Sequence, residues 1–254
     1  MANPAQLITA FSKKTSPGAF RRLSRKTVAQ QLSARVAKPY LINQGQAGVC
    51  PAAALVYGIA RHRPAVYVRM VTELFDKGRT RVDRWVLEPC ADLKDYNPAG
   101  QVPQADWIPM ASIRDSENWF IDYQAVGDSG GANVWEFVRW LRKAGYTDVK
   151  EDWSDVWDEN RENLFTASAL YKKNYHVSLV IDSSLLLGKT AILSSPDHIV
   201  VLRSEIAAKP ARFAGVELVN MTVYTWGRLL KMPKLPMKVD DFLDYYYGYV
   251  AAKY

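Results

Sequence analysis

The hydrophobic spacing of this 254-residue chain changes period near residue 176, and that change limits the folds open to it. Upstream, apolar residues recur at helical intervals. Ala52, Ala53, Ala54, Leu55 and Ile59 predict a buried helix from 51 to about 63, which Pro64 breaks or restarts. Val68, Met70, Val71, Leu74 and Phe75 predict a second helix over 67–77, with Gly78 as its stop. Residues 86–110 hold Pro89, Pro98, Pro103 and Pro109 and read as irregular. Asn133, with Glu136 three residues on, predicts a capped helix start. Trp135, Val138 and Leu141 form its stripe and Gly145 closes it. A further helix is expected over 161–173. Downstream the pattern suits strands, at 176–182, 199–202 and 216–224. Asp240 or Asp241 is expected to cap a short helix, and 249–252 to form a last strand. Helices first and strands later predict an α+β fold with a mostly antiparallel sheet.

Charge divides the chain differently. The net charge is +7, yet residues 1–40 carry eight Lys and Arg and no acidic residue, so the remainder sums to −1. The basic character therefore belongs to an N-terminal arm, taken as 1–38, ahead of a nearly neutral body, 39–254. Phe20, Leu23, Val28, Leu32 and Val36 predict that part of the arm is helical. Such an arm is either a solvated basic face or a contact for an anionic partner: nucleic acid, anionic lipid or an acidic protein. Its Arg- and Ser-rich, acid-free composition also describes a transit peptide. The apolar stretch 7–11 is too short for a secretory signal, so export without a cleavable signal is the expectation. No run of about 18 apolar residues exists, so no membrane span is expected. Two cysteines and three histidines lie scattered without ligand spacing, and no phosphate-cradling loop is present, so neither metal nor cofactor is expected.

The chemistry concentrates in Asn43-Gln44-Gly45-Gln46-Ala47-Gly48-Val49-Cys50-Pro51-Ala52. Cys50 stands where a helix begins, and unpaired N–H groups and the helix dipole there favour a thiolate. Gln44 is placed to reach back and hold an oxyanion, and the glycines let the turn bring both groups together. Pro51 suits a first helical turn, where its missing N–H is not needed. A thiol nucleophile needs a base, and three histidines compete for the role. His62, between Arg61 and Arg63, would lie about 18 Å from Cys50 at the far end of its helix. His176 begins a strand with no partner pattern. His198 opens an apolar strand within Pro196-Asp197-His198-Ile199-Val200.

These segments resemble the papain-like cysteine peptidases. Asn43, Gln44, Gly45, Gly48, Cys50 and Ala52 match the family's active-site stretch, and Asp197-His198-x-Val200 is similar to the stretch carrying its base. The resemblance implies a papain-like fold, with the nucleophile on an early buried helix and the base on a later sheet. It implies Cys50 as nucleophile, His198 as base and Gln44 as oxyanion donor. Ala47 stands where the family has a disulfide cysteine, and Pro51 where it has Trp. The family orients its imidazole with Asn or Asp, often just before Ser-Trp-Gly. Here Tyr224-Thr225-Trp226-Gly227 is similar, with Tyr224 in the Asn place. Asn220, on the same strand face, is the expected orienting residue, with Glu217 and Tyr224 as rivals. Asp197, Tyr224 and Trp226 are expected near the cleft. From the Asn-Gln-Gly segment through Arg114-Asp115-Ser116-Glu117-Asn118 to Trp226-Gly227 the chain also resembles bacterial proteins associated with type VI secretion and antagonism between bacteria.

The expected function is hydrolysis of an amide bond in a protein or peptide by a Cys-His dyad. The enzyme would be a toxin or effector made in the bacterial cytoplasm and then delivered, with an immunity protein as possible partner. The same dyad serves a peptidoglycan amidase, a glutamine deamidase or a transglutaminase. The rivals from other classes are a non-catalytic papain-like binding protein and a nucleic-acid or lipid binder driven by the arm. Gly127-Asp128-Ser129-Gly130-Gly131 spells a serine-protease segment, but that mechanism needs an earlier His and Asp on β-barrels; it reads instead as the loop before the Asn133 helix. Residues 111–118 read as a polar structural junction or a cleft lining.

Overall fold

The computed structural model describes residues 3–45, 47–117, 133–155, 161–189, 194–210 and 215–254. The Gly127 to Gly131 segment lies outside them. The chain forms two compact units, one of 1–130 with 143–145, the other of 131–142 with 146–254.

The first unit is helical. It contains α1 (Pro4–Ser12), α2 (Arg25–Ala37), a 3-10 turn (Pro39–Leu41), α3 (Cys50–His62), α4 (Pro64–Lys77), the hairpin of β1 (Thr80–Val82) and β2 (Trp85–Leu87), α5 (Ala91–Asp95) and α6 (Gln104–Glu117). Asn3 caps α1 by accepting the Ala5 N–H, and Ser24 caps α2 by accepting that of Thr27. Gly78, at φ +69°, ends α4 in the left-handed conformation that glycine adopts without strain.

Residues 1–38 are not an arm apart from this unit. Phe20, Val28 and Leu32 are fully buried, and Phe11 nearly so. The Arg25 guanidinium lies against the edge-to-face rings of Phe11 and Phe75, 4.7 and 4.8 Å from their centroids, and pairs with Asp76. The boundary at 38/39 expected from charge therefore has no structural counterpart. Charge marks where lysines and arginines sit; it does not register the apolar face that the same helices turn inward.

The segment expected to be irregular is also more ordered than its prolines suggest. Pro103 precedes α6, and its carbonyl accepts the N–H groups of Asp106 and Trp107, 2.9 Å each. Pro109 lies inside the helix. Burial of Ala105, Ile108, Met110, Ala111 and Ile113 offsets the one backbone bond that Pro109 cannot make.

The second unit is a sheet with helices. It comprises α7 (Val134–Lys143, whose last residue belongs to the first unit), β3 (Thr147–Trp153), α8 (Arg161–Lys172), β4 (His176–Ile181), α9 (Ser184–Leu187), β5 (His198–Leu202), β6 (Ala207–Pro210), β7 (Glu217–Thr225), β8 (Arg228–Met232), α10 (Val239–Leu243) and β9 (Tyr246–Lys253). The seven strands run β3-β9-β4-β5-β7-β6, with β8 also paired to β7, and every pairing is antiparallel. The architecture is thus α+β with an antiparallel sheet. Leu179, Ile181, Val200, Val223, Leu164 and Phe242 meet in one core beneath α8 and α10.

Asn133 caps α7 by accepting the Glu136 N–H at 3.1 Å. Its buried stripe is Val134, Phe137, Val138 and Leu141. Trp135, expected in that stripe, is 68% exposed and meets the Trp153 ring edge-on at 5.2 Å. Lys238, rather than either aspartate, precedes α10. Among the described residues no helix is long and apolar enough to cross a membrane.

Candidate active site

Cys50 is the first residue of α3, and the helix start is set locally. Val49, at φ −118° and ψ 31°, is non-helical and offers no side-chain cap, and Pro51 follows with no N–H to satisfy. The positive end of a 13-residue helix dipole therefore meets the thiol. The residue is 6% exposed. Neither cysteine forms a disulfide.

The loop ahead of α3 is folded by short turns. Asn43 Oδ1 accepts the Gly45 N–H at 2.9 Å, Gln44 O accepts that of Ala47 at 3.2 Å, and Ala47 O accepts that of Val49 at 2.8 Å. Gly45 has φ +59°, and a Cβ there would lie 2.1 Å from the Gln101 carbonyl oxygen, so only glycine fits. Gln44 is buried at 7% exposure, and its Nε2 donates to Ala47 O at 3.0 Å. That nitrogen carries two hydrogens, so the bond to Ala47 fixes the amide while leaving a second donor.

A buried ion pair underlies this loop. Asp106 of α6 is fully buried and accepts from Arg35 Nε and Nη2 of α2, 2.8 Å each, and from the Asn43 N–H at 3.0 Å. Burial raises the Asp106 carboxyl from its ordinary value, and the three hydrogen bonds pull the other way. Burial, then the Asp106 charge, holds the neighbouring Tyr67 hydroxyl well above its usual range. From the same helix Arg114 Nη1 donates to Gly48 O at 2.8 Å, Asp115 accepts the Cys90 N–H at 2.7 Å, and Ser116 Oγ accepts the Glu88 N–H at 3.1 Å. Arg114, Asp115 and Ser116 thus act as a structural junction tying α6 to two backbone segments, at Gly48 and at 88–90. Asn118 lies outside the described residues.

In the second unit His198 begins β5, opposite Ile181 of β4, and is 5% exposed. Its Nε2 lies 2.7 Å from Thr225 Oγ1, and the Trp226 ring lies over it at 5.0 Å. Trp226 and Gly227, at φ +47° and +72°, form the two-residue turn that joins β7 to β8. That turn places the last residue of β7 beside the imidazole.

The orienting contact therefore comes from Thr225 and not from Asn220. Asn220 is exposed and pairs with Ala207 on β6. The register sets Val201 opposite Tyr224, so Asn220 and His198 lie about seven strand residues apart, roughly 23 Å. Tyr224 is buried between Val201 and Leu229, and Glu217 pairs with Arg161. Asp197 turns both oxygens to Ser183, accepting its N–H and Oγ–H at 2.7 Å each. Burial, foremost, raises the Asp197 carboxyl. His62 is exposed at the end of α3, and His176 is buried against Tyr146. The family similarity around Trp226-Gly227 points to the Asn place, one residue before Thr225. The residue directly before the Trp carried the useful signal.

Burial lowers the His198 pKa from 6.5 to about 4. At neutral pH the ring is uncharged, so one nitrogen carries the proton and the other a lone pair; where Nε2–H donates to Thr225, the lone pair is on Nδ1. The shift also ties stability to pH. A folded pKa below the unfolded one contributes stability that is complete above pH 6.5 and is lost as pH falls toward 4. Its full size is about 3 kcal/mol. Urea unfolding at pH 7 and pH 4 should show this loss in the wild type and a smaller one in His198→Gln. Equal losses would show that the imidazole does not carry it. No protein-family model, curated protein or solved structure matches this chain.

Proposed function

We propose that this chain is a thiol hydrolase of amide bonds, a papain-like cysteine peptidase acting as a bacterial effector. The observation that carries it is the position of Cys50, first residue of an uncapped helix start, behind a folded loop in which the Gln44 amide is buried and oriented. His198, neutral and hydrogen-bonded to Thr225, supplies the base. In this scheme Nδ1 takes the Cys50 proton and the thiolate attacks the substrate carbonyl carbon. Gln44 Nε2–H and the Cys50 N–H hold the oxyanion. The C–N bond breaks as His198 returns the proton to the leaving amine, and water then hydrolyses the thioester. A protein or peptide is the substrate; murein cross-links are the alternative. Delivery without a cleavable signal, an immunity protein as partner and an anionic contact for exposed Lys13, Arg21, Lys26 and Lys38 complete the proposal.

The test is competitive labelling by iodoacetamide. Cys50, although buried, should alkylate faster than Cys90, although exposed, because the thiols differ in ionisation. Burial, foremost, and then the Asp115 carboxylate raise the Cys90 thiol above its ordinary value; a bond from the Leu93 N–H opposes them. His198→Ala should slow Cys50 and leave Cys90 unchanged. If Cys90 reacts first and the substitution changes nothing, the second reading stands: a non-catalytic papain-like binding protein. The near-complete burial of Cys50, and a threonine hydroxyl rather than an Asn amide against the imidazole, favour that reading.

A further inference from the structure

We propose that Arg35 and Asp106 are positioning residues for the oxyanion donor, so that α2, within the basic N-terminal region, is part of the machinery. The inference rests on the hydrolase reading above. Asp106 holds the backbone N–H of Asn43, the residue immediately before Gln44, and Arg35 holds both oxygens of Asp106. Three hydrogen bonds of 2.8–3.0 Å converge on one carboxylate with no surface open to water. A bidentate guanidinium–carboxylate pair fixes orientation as well as distance. Asp106 can therefore move little, and the loop starts from a fixed point. The internal turns of the loop then carry that placement to the Gln44 amide, whose Nε2 is tied to Ala47 O. Arg35 and Asp106 touch no reacting atom in this scheme; they act through Asn43 and Gln44.

The test separates oxyanion stabilisation from thiol reactivity in the full-length chain. In p-nitrophenyl acetate the Cys50 thiolate attacks the ester carbonyl, an oxyanion forms, and the C–O bond breaks to release p-nitrophenolate. Iodoacetamide alkylates the same sulfur by direct displacement of iodide, with no oxyanion. The ratio of the two rates at Cys50, read by peptide mass spectrometry, reports the oxyanion donors alone. Gln44→Ala should lower the ratio about 100-fold. Asp106→Asn and Arg35→Lys should lower it roughly tenfold, with alkylation unchanged, because a small misplacement weakens a donor without removing it. Neither should add to Gln44→Ala. Should Asp106→Asn fail to fold, Arg35→Met combined with Asp106→Leu fills the space with apolar groups while still releasing the Asn43 N–H, and the same tenfold fall is expected. A wild-type ratio in these variants, alongside a lowered one in Gln44→Ala, overturns the positioning role and leaves the hydrolase reading intact. An unchanged ratio in Gln44→Ala, with Cys50 acylating no faster than Cys90, overturns both.

Discussion

Cys50→Ala should lower amide hydrolysis by about 10⁶-fold, because it removes the atom that attacks the substrate in the proposed mechanism. The substitution deletes one sulfur from the first turn of α3, where the backbone conformation depends on Val49 and Pro51. The fold should survive, and the melting temperature should stay within a few degrees of wild type. That combination separates chemistry from stability. Cys90→Ala is the matching control. Its thiol caps α5 weakly, accepting the Leu93 N–H at 3.5 Å, and donates to Asp115 Oδ1 at 3.2 Å. Losing it should leave turnover unchanged. Incubation of wild type and Cys50→Ala with cell lysate and with purified murein would show which substrate disappears. Full activity in the alanine variant would end the thiol mechanism.

Deleting residues 1–38 should unfold the first unit rather than trim a tail. The deletion removes Ile8, Phe11, Phe20, Leu23, Val28 and Leu32, all at 7% exposure or less. Each such burial contributes roughly 1.5–3 kcal/mol, so the six together match or exceed the whole stability of an ordinary domain, about 5–15 kcal/mol. The deletion also strips Arg35 from Asp106 and leaves a fully buried carboxylate with its charge uncompensated, at a cost of about 3–5 kcal/mol. The truncated chain should bind a hydrophobic dye, lose its near-ultraviolet circular dichroism and lose selective labelling at Cys50. If these residues served only to contact an anionic partner, the truncated chain would fold and keep its thiol reactivity.

The expectations that hold are those that depend on neighbours a few residues away. Short runs rich in Val, Ile and Leu at 176–182 and 199–202 mark strands, which are buried on both faces. Asn133 and Glu136 mark a helix start, because the cap bond spans three residues. The thiol at the head of α3 is equally local, since Pro51 and the glycine-bearing loop define that end from within ten residues.

Other features were settled at long range. α6 runs through Pro109 because its apolar side is buried, and a proline pattern carries no information about that burial. Charge hid the inward face of residues 1–38. Thr225, not Asn220, meets His198, because cross-strand register and the Trp226-Gly227 turn choose which β7 side chain lies beside β5. Asp106 meets Arg35 and the backbone of Asn43 across 71 and 63 residues of chain. Sequence alone determined the capped and periodic elements and the place of Cys50 at a helix start, since these follow from spacing along the backbone. Only the tertiary structure decided the partners of the His198 imidazole and of the loop at 43–45, since those depend on which distant surfaces bury each other.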